Sequence, residues 1–484
     1  MGDDLALLTA TELAEGIRRR DFSSVEVLRA HHERVGRLNP ALNAIVTPNP
    51  RAEEDARAAD ARVSAGETAG PLNGVPITIK DCFETAGLRT TNAYERTRDY
   101  VPAEDAPPVA KLRAAGAVIL GKTNLPVLAG DGQTDNPIFG RTNNPWNPGC
   151  GPGGSSGGDG AAVAARMSAL GLGSDIGGSI RLPAHACGIF GLKPTEHRVS
   201  TAGYLEGRGW RKAERHMNTV GPLARSVDDL ELGLRVVAGA DRRFLDIPPV
   251  APGVRVDREI RGLRIAWSAA WPDAPTSSVV AGAVRSLVHD LEAAGAVVED
   301  ALPDVPWDEM REAYGALFFA EFGSSMDVDE EQAMAEMFGL DVESPEPFLR
   351  GGAKAVNIGL REYMRLLETR DLCIRRWDEF MGRYDAYLSP VMGVPAFDHT
   401  VPGTPIPVDD KPGSYFLTIG GYAEPINFVG LPAIALPLGV TEDGRPFGYQ
   451  AIGARWGDFD LLGVARALQP VSGDVPPVGR LAAG

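Results

Sequence analysis

The sequence predicts an α/β protein, folded as one large domain around a partly parallel sheet. Three observations carry that expectation. Short apolar runs bounded by turn residues alternate with helical segments at strand–helix spacing. Neither an internal repeat nor a linker long enough to separate domains interrupts the 484 residues. The stretch 305–385 is helix-rich and acidic, which reads as a helical insertion or cap rather than a second unit.

Taken in order, residues 1–65 read as N-terminal helices. Thr9 with Glu12, and Ser23 with Glu26, have the S/T-x-x-E form of a capping box. Val25, Leu28 and Val35 then share one helical face with His32. The adjacent His31 and His32 point in different directions and make a poor metal pair. Asn73-Gly74 is a turn signal, followed by the apolar run 75–79, a strand that delivers Lys80. A helical segment, 109–115, leads through Gly116 into a buried-strand candidate at 117–120. The loop 144–160 is rich in Gly, Pro, Asn and Ser, and a small-residue helix is expected over 161–170. A second glycine-rich loop covers 175–179. The alternation resumes with a helix at 227–239, a strand at 263–267 and a helix at 277–295. Runs 433–438 and 447–452 flank Glu442-Asp443-Gly444, a hairpin signal.

Charge and cysteine usage exclude several classes. With 48 Lys and Arg against 65 Asp and Glu, the net charge is −17. Such a chain repels phosphate backbones and anionic membranes unless it carries a local basic patch. The densest basic run, Arg18-Arg19-Arg20, is followed at once by Asp21, so nucleic acid is not an expected partner. Cys82, Cys150, Cys187 and Cys373 lie far apart without a C-x-x-C pair, which argues against a zinc ribbon or disulfide scaffold. The acidic Met1-Gly2-Asp3-Asp4 is unlike a signal peptide, and the longest uncharged run, 428–440, is short and broken by Pro432 and Pro437. A cytoplasmic chain that does not enter a membrane is expected.

Two motif matches fail on context. Gly116 to Thr123 satisfies G-x-x-x-x-G-K-T, but its Ala-Val-Ile-Leu interior is itself the expected strand, leaving no free amides to cradle phosphate. Gly153-Gly154-Ser155-Ser156-Gly157 satisfies G-x-S-x-G, but a loop precedes Ser155 where a nucleophile elbow needs a strand. A third constellation is more specific. Ser155 and Ser179 sit in two glycine loops 24 residues apart, with Lys80 upstream at a strand end. Consecutive glycines before Ser179 leave unobstructed amides that can converge on an oxyanion.

The residues between and around these loops resemble a known family. The runs Gly153-Gly154-Ser155-Ser156-Gly157-Gly158-Asp159-Gly160, Gly173-Ser174-Asp175-Ile176-Gly177-Gly178-Ser179-Ile180-Arg181 and Cys187-Gly188-Ile189-Phe190-Gly191-Leu192-Lys193-Pro194-Thr195 are closely similar to the amidase signature. So are Val75-Pro76-Ile77-Thr78-Ile79-Lys80-Asp81, Gly221-Pro222-Leu223-Ala224-Arg225-Ser226, Pro425-Ile426-Asn427 and Gly430-Leu431-Pro432-Ala433. Ser174 departs from the usual Thr while keeping a hydroxyl.

The resemblance implies a single amidase domain over 1–484, with a mixed central sheet covered by helices on both faces and the catalytic core at 70–230. It also implies a Ser-cisSer-Lys triad, in which Ser179 is the nucleophile, Ser155 the bridging serine with a cis peptide, and Lys80 the general base. The backbone of Ile176, Gly177, Gly178 and Ser179 maps onto the oxyanion hole, and Asp175 and Arg181 brace that loop. Asp131, in a loop near the acyl site, is a candidate partner for a cationic substrate group; the alternative is that it caps a turn with Gly130 and Gly132. The implied activity is amide hydrolysis on a small organic molecule, with ester hydrolysis open. The alternative within the family is the glutaminase subunit of a tRNA-dependent amidotransferase. No cofactor or metal is called for, and no histidine pair has H-x-x-x-H spacing. A small-molecule amide is the expected partner, a homodimer is left open, and the amidotransferase alternative would add partner subunits.

Overall fold

β2 (Pro76–Lys80) is built of apolar and β-branched residues and is buried along its whole length, as suits a central strand covered on both faces. The computed structural model describes residues 5–205, 214–241, 243, 247–324, 328–356 and 358–472. The other strands are β1 (Ile45–Pro48), β3 (Val118–Thr123), β4 (Leu170–Asp175), β5 (Phe190–Lys193), β6 (Thr219–Ala224), β7 (Arg264–Trp267), β8 (Val297–Asp300), β9 (Ala386–Pro390), β10 (Ile406–Val408), β11 (Lys411–Gly413), β12 (Ala433–Val440) and β13 (Pro446–Ile452). Among the described residues eleven strands form one mixed sheet in the order β1-β3-β2-β4-β6-β5-β12-β13-β9-β7-β8, and β10 and β11 form a separate ribbon. β2 runs parallel to both β3 and β4, and β7 runs parallel to β8 and β9. The remaining pairs are antiparallel, including the expected β12–β13 hairpin.

Helices cover both faces of this single domain. Along β12, Ile434 and Leu436 join the cluster that holds Leu230, Leu234 and Leu461, whereas Ala435 between them joins Leu182 and Ala184. Successive side chains of a strand point to opposite faces, so helices Val227–Val237 and Asp458–Leu468 lie on one side and helix Arg181–Cys187 on the other. Between β8 and β9 the stretch 305–385 contributes four helices, Trp307–Gly323, Val328–Phe338, Pro347–Ala355 and Leu360–Met381. They share an aromatic cluster with Tyr422 and Phe428 of the segment leading to β12.

Two local expectations are corrected. The N-terminal 65 residues are not all helical, since β1 leaves helix Ser24–Leu42 through a left-handed Asn43 and pairs with β3. Three consecutive residues, Ile45, Val46 and Thr47, are β-branched and favour that extended path. The small-residue helix runs over Gly157–Ala164, ending well before 170. The chain reverses at Arg166, whose φ is 58°, and Leu170 begins β4. Alternating glycine and leucine in β4 gives no periodic signal, because the strand is buried throughout. Within the Gly116–Thr123 run, Val118–Thr123 forms strand β3, and Val118, Ile119, Gly121, Lys122 and Thr123 pair with β2. No helix among the described residues is long and apolar enough to cross a membrane.

The topology places the site. β2 and β4 are parallel neighbours, so their carboxyl ends open side by side, β2 on Lys80 and β4 on Asp175. Loops at the carboxyl ends of parallel strands are the usual binding edge of open α/β sheets.

Candidate active site

Lys80 is fully buried, and its Nζ lies 2.6 Å from Ser155 Oγ and 2.9 Å from Ser174 Oγ. Burial lowers its pKa, with Cys82, Asp159 and Asp175 opposing through their charges. Asp81, the next residue, turns away. It accepts hydrogen bonds from the Thr91 amide and hydroxyl and sits 3.7 Å from Lys122 Nζ. Lys80 is therefore left with two neutral hydroxyls. Asp159 lies beneath, held by Thr78 Oγ1 at 3.0 Å and Thr123 Oγ1 at 2.7 Å, and burial raises its pKa to about 7.

Ser155 follows a cis Gly154–Ser155 peptide and stands just before helix Gly157–Ala164. The loop is tied to the second one directly, because the Ser156 amide donates to the Ser179 carbonyl at 3.1 Å. Ser174 Oγ also lies 3.4 Å from Tyr204 OH. The hydroxyl at 174, the one departure from the usual signature, is thus used.

Asp175 organises the second loop. Its carboxylate accepts from the amides of Gly178, Ile180 and Arg181 at 2.8, 3.1 and 3.3 Å, and from Arg181 Nε and Nη2 at 3.1 and 3.0 Å. Burial alone would raise its pKa, but the Arg181 charge and these hydrogen bonds hold it well below the usual carboxylate range. Arg181 further donates to Gln450 Oε1 at 2.8 Å and to the Ala423 carbonyl at 3.0 Å, and Asn427 Nδ2 donates to Asp175 Oδ1 at 2.9 Å. Gly178 has φ of 110°, which only glycine adopts without strain. One expectation is thereby narrowed. The Gly178 amide is committed to Asp175, so the amides of Ile176, Gly177 and Ser179 are the ones without an acceptor among the described residues. Ser179 itself is 8% exposed.

Two chambers meet here. An inner one of about 80 Å³ is lined by Ile176, Gly177 and Ser179 and walled by Tyr314, Phe318, Phe348 and Phe416. An outer one of about 880 Å³ shares Gly130, Asp131, Phe338 and Phe416 with it and opens past His399 and the 400–405 loop. Buried serines, a desolvated lysine and open amides facing an apolar chamber are what acyl transfer from an amide requires.

Known proteins agree with that chemistry. The Amidase family model matches residues 26–462. The chain belongs to the amidase family. Among curated proteins it is 36% identical to a glutamyl-tRNA(Gln) amidotransferase subunit from Roseiflexus castenholzii, over 96% of each chain. It is 34% identical to an indoleacetamide hydrolase of Bradyrhizobium diazoefficiens, over 96% of this chain and 86% of that one. Among solved structures, a bacterial aryl acylamidase of the amidase signature family superposes with TM-score 0.80 at 26% identity, over 96% of both chains. This amidase is an amidohydrolase acting on carboxamides.

The structure brings Lys80, Ser155, Asp175, Arg181 and the 176–179 loop into one cluster, with Asp131 across the inner chamber. Asp131 is engaged by its own loop and a neighbour: Oδ1 accepts from Tyr415 OH at 2.6 Å and from the Gly132 amide at 2.8 Å. Burial raises its pKa to about 6. Both readings of Asp131 keep a physical basis, since it caps the turn and also lines both chambers.

Sequence reasoning passed over Gln450 and Glu424 as site residues and saw Asn427 only as part of a motif. Gln450 lies 269 residues from Arg181 and carries no local signal; only the sheet brings them together.

The Asp175–Arg181 pair yields a first prediction. Arg181→Met keeps most of the volume but strands a buried carboxylate, at an expected cost of about 3–5 kcal/mol. Urea midpoints at neutral pH should fall accordingly, and amide turnover should fall with them as the 176–179 loop loses its anchor. The deficit should shrink as pH is lowered, because an unpaired Asp175 takes up a proton. An unchanged midpoint would remove the bracing role.

Proposed function

We propose that this amidase hydrolyses the carboxamide of a small organic molecule through an acyl-enzyme on Ser179. The observation that carries the reading is the 2.6 Å contact between Ser155 and a buried, charge-disfavoured Lys80, one loop away from Ser179. Neutral Lys80 takes the Ser155 proton as Ser155 takes the proton of Ser179 Oγ, and Oγ forms a bond to the amide carbon. The resulting oxyanion is received by the amides of Ile176, Gly177 and Ser179. As the C–N bond breaks, the proton returns through Ser155 to the leaving nitrogen. Water, losing a proton along the same relay, then attacks the acyl carbon. This releases the carboxylic acid and restores Ser179. The helices of 305–385 supply Tyr314, Phe318 and Phe348 to the inner chamber, and we read them as the cap that sets acyl specificity. Four free, buried cysteines suit a reducing, cytoplasmic setting.

A second reading, the glutaminase subunit of a tRNA-dependent amidotransferase, is favoured by the glutamyl-tRNA(Gln) amidotransferase relatives at 32–36% identity. Against it stands the inner chamber, whose described lining holds no Lys, Arg or His to meet the α-carboxylate of glutamine. The chain purified alone is expected to hydrolyse aryl and short aliphatic amides and to leave L-glutamine untouched. Glutaminase activity, together with stable partner proteins co-purifying from the native host, would establish the second reading instead.

A further inference from the structure

The inner chamber contains a carboxyl group that no described residue hydrogen-bonds. Glu424 opens the short helix Glu424–Phe428, three residues before the Asn427 that steadies Asp175. Its side chain lines the chamber together with Ser179 and Gly177, and the residue is only 9% exposed. Neither carboxyl oxygen has a hydrogen-bond or ion-pair partner among the described residues. Asp131 differs, being capped by Tyr415 and Gly132. Glycine at 420 keeps the space for Glu424 open: a Cβ at Gly420 would lie 2.2 Å from Oε1, so any larger residue there would displace the carboxyl. A Cβ at Gly177 would lie 3.5 Å from Glu424 Cγ, which sets this side chain directly against the loop of open amides.

The surroundings specify what such a group awaits. Aromatic rings enclose it, with Phe348 centred 5.9 Å from Tyr314, 5.8 Å from Phe318 and 5.5 Å from Phe416. No cationic side chain is in the described lining. Arg311 acts on Glu424 only through its field. Its own Nη2 donates to the Gly421 carbonyl at 3.2 Å, and its guanidinium lies over the Trp307 ring. A purely apolar acyl group filling this chamber would leave a buried carboxyl without a donor, which is costly. An anionic one would meet Glu424 and Asp131 together. An organic ammonium satisfies every feature at once, offering three donors and a charge to the carboxylate and a cation to the ring faces.

We propose that Glu424 determines specificity by receiving a protonated amine on the acyl part of the substrate, so that short aminoacyl amides are preferred. The proposal rests on the Ser179 acyl-enzyme reading, because it takes the inner chamber as the acyl site. Its pH signature follows from burial, which raises the Glu424 pKa to about 8, with Arg311 opposing and Glu346 adding to the rise. Asp131, Tyr314 and Tyr415 are the other titratable groups lining the chamber. The empty site is then largely protonated near neutrality and must release a proton to pair with an ammonium. KM for an aminoacyl amide falls as pH rises toward 8, approaching about tenfold per pH unit on the acid side. KM for a neutral isostere does not share that slope.

The test uses the full chain with β-alanyl 4-nitroanilide and butyryl 4-nitroanilide, which differ by an ammonium in place of a methyl. Wild-type kcat/KM is expected to favour the β-alanyl compound, and Glu424→Gln to lower the β-alanyl to butyryl ratio by about 10²-fold. Gly420→Ala, which intrudes on the carboxyl, lowers the same ratio. The wild-type preference and its KM slope need no variant, so a folding failure of Glu424→Gln does not rescue the idea. Labelling Ser179 with a fluorophosphonate in the same preparation separates the two levels. If Ser179 takes the label with loss of activity, but the untreated enzyme acts on the β-alanyl compound no faster than on the butyryl one, the role of Glu424 alone is overturned. Activity on either anilide that persists once Ser179 is fully labelled, or that the probe abolishes with Ser179 unmodified, overturns the acyl-enzyme reading and this proposal with it.

Discussion

Alanine at position 179 is expected to lower amide turnover by a factor on the order of 10⁵ or more while leaving the fold in place. The chemical loss is the proposed attacking oxygen, while Ser155 Oγ stays held on Lys80 Nζ. The structural loss is small. Ser179 Oγ has no hydrogen-bond partner among the described residues, and the contact that ties the two loops uses the Ser179 carbonyl, which alanine keeps. Stability should therefore change by less than about 1 kcal/mol. Paired measurements of kcat and of the thermal midpoint distinguish a missing nucleophile from a damaged loop. Turnover within tenfold of wild type would place the nucleophile elsewhere.

Lys80→Ala should separate the two halves of the proton relay. An amide's amine leaves poorly unless protonated as the C–N bond breaks, whereas an ester's alkoxide leaves more readily. Both substrates need base assistance to Ser179, but only the amide depends strongly on the returning proton. General acid–base assistance contributes about 10²–10⁴-fold. The variant should thus lose more on an amide than on the ester of the same acyl group, narrowing the amide-to-ester preference. Wild-type rates should fall on the acid side as pH drops through the burial-lowered pKa of Lys80, since only the neutral amine can accept a proton. In Lys80→Ala the residual ester activity should lack that limb. Equal losses on matched substrates, with acylation rate-limiting for both, would mean that Lys80 does not feed the leaving group.

Much of this site could be read from the chain. The serine-bearing glycine loops and the lysine that ends an apolar strand are local patterns, and the structure sets Ser155 Oγ on the buried Lys80 Nζ and ties the two loops through the Ser156 amide and the Ser179 carbonyl. What could not be read is whatever depends on packing rather than local pattern. β4, with glycine at alternate positions and burial on both faces, has neither the alternation of a half-exposed strand nor the period of a helix. Gln450 reaches Arg181 only because β13 lies in the same sheet as β5 and β12. The Gly178 amide looks free in a run of glycines, and only the fold of the loop onto Asp175 commits it. Glu424 stands next to a recognised Pro-x-Asn motif, yet an acidic residue opening a short helix ordinarily caps the helix or faces solvent. Its isolation from partners is a tertiary property.

The claim on which the rest depends is that Ser179 becomes covalently acylated, and active-site mass mapping tests it directly. Incubation with a fluorophosphonate, digestion and peptide sequencing should place one phosphonyl adduct on Ser179, with loss of activity in proportion to labelling. Competing thiols are poor candidates. Burial raises the pKa of Cys82 to about 12 and pushes that of Cys187 up as well, so neither presents a thiolate near neutral pH. Stoichiometric inactivation with Ser179 unmodified, and the adduct instead on Ser155, Cys82 or Cys187, would contradict the account.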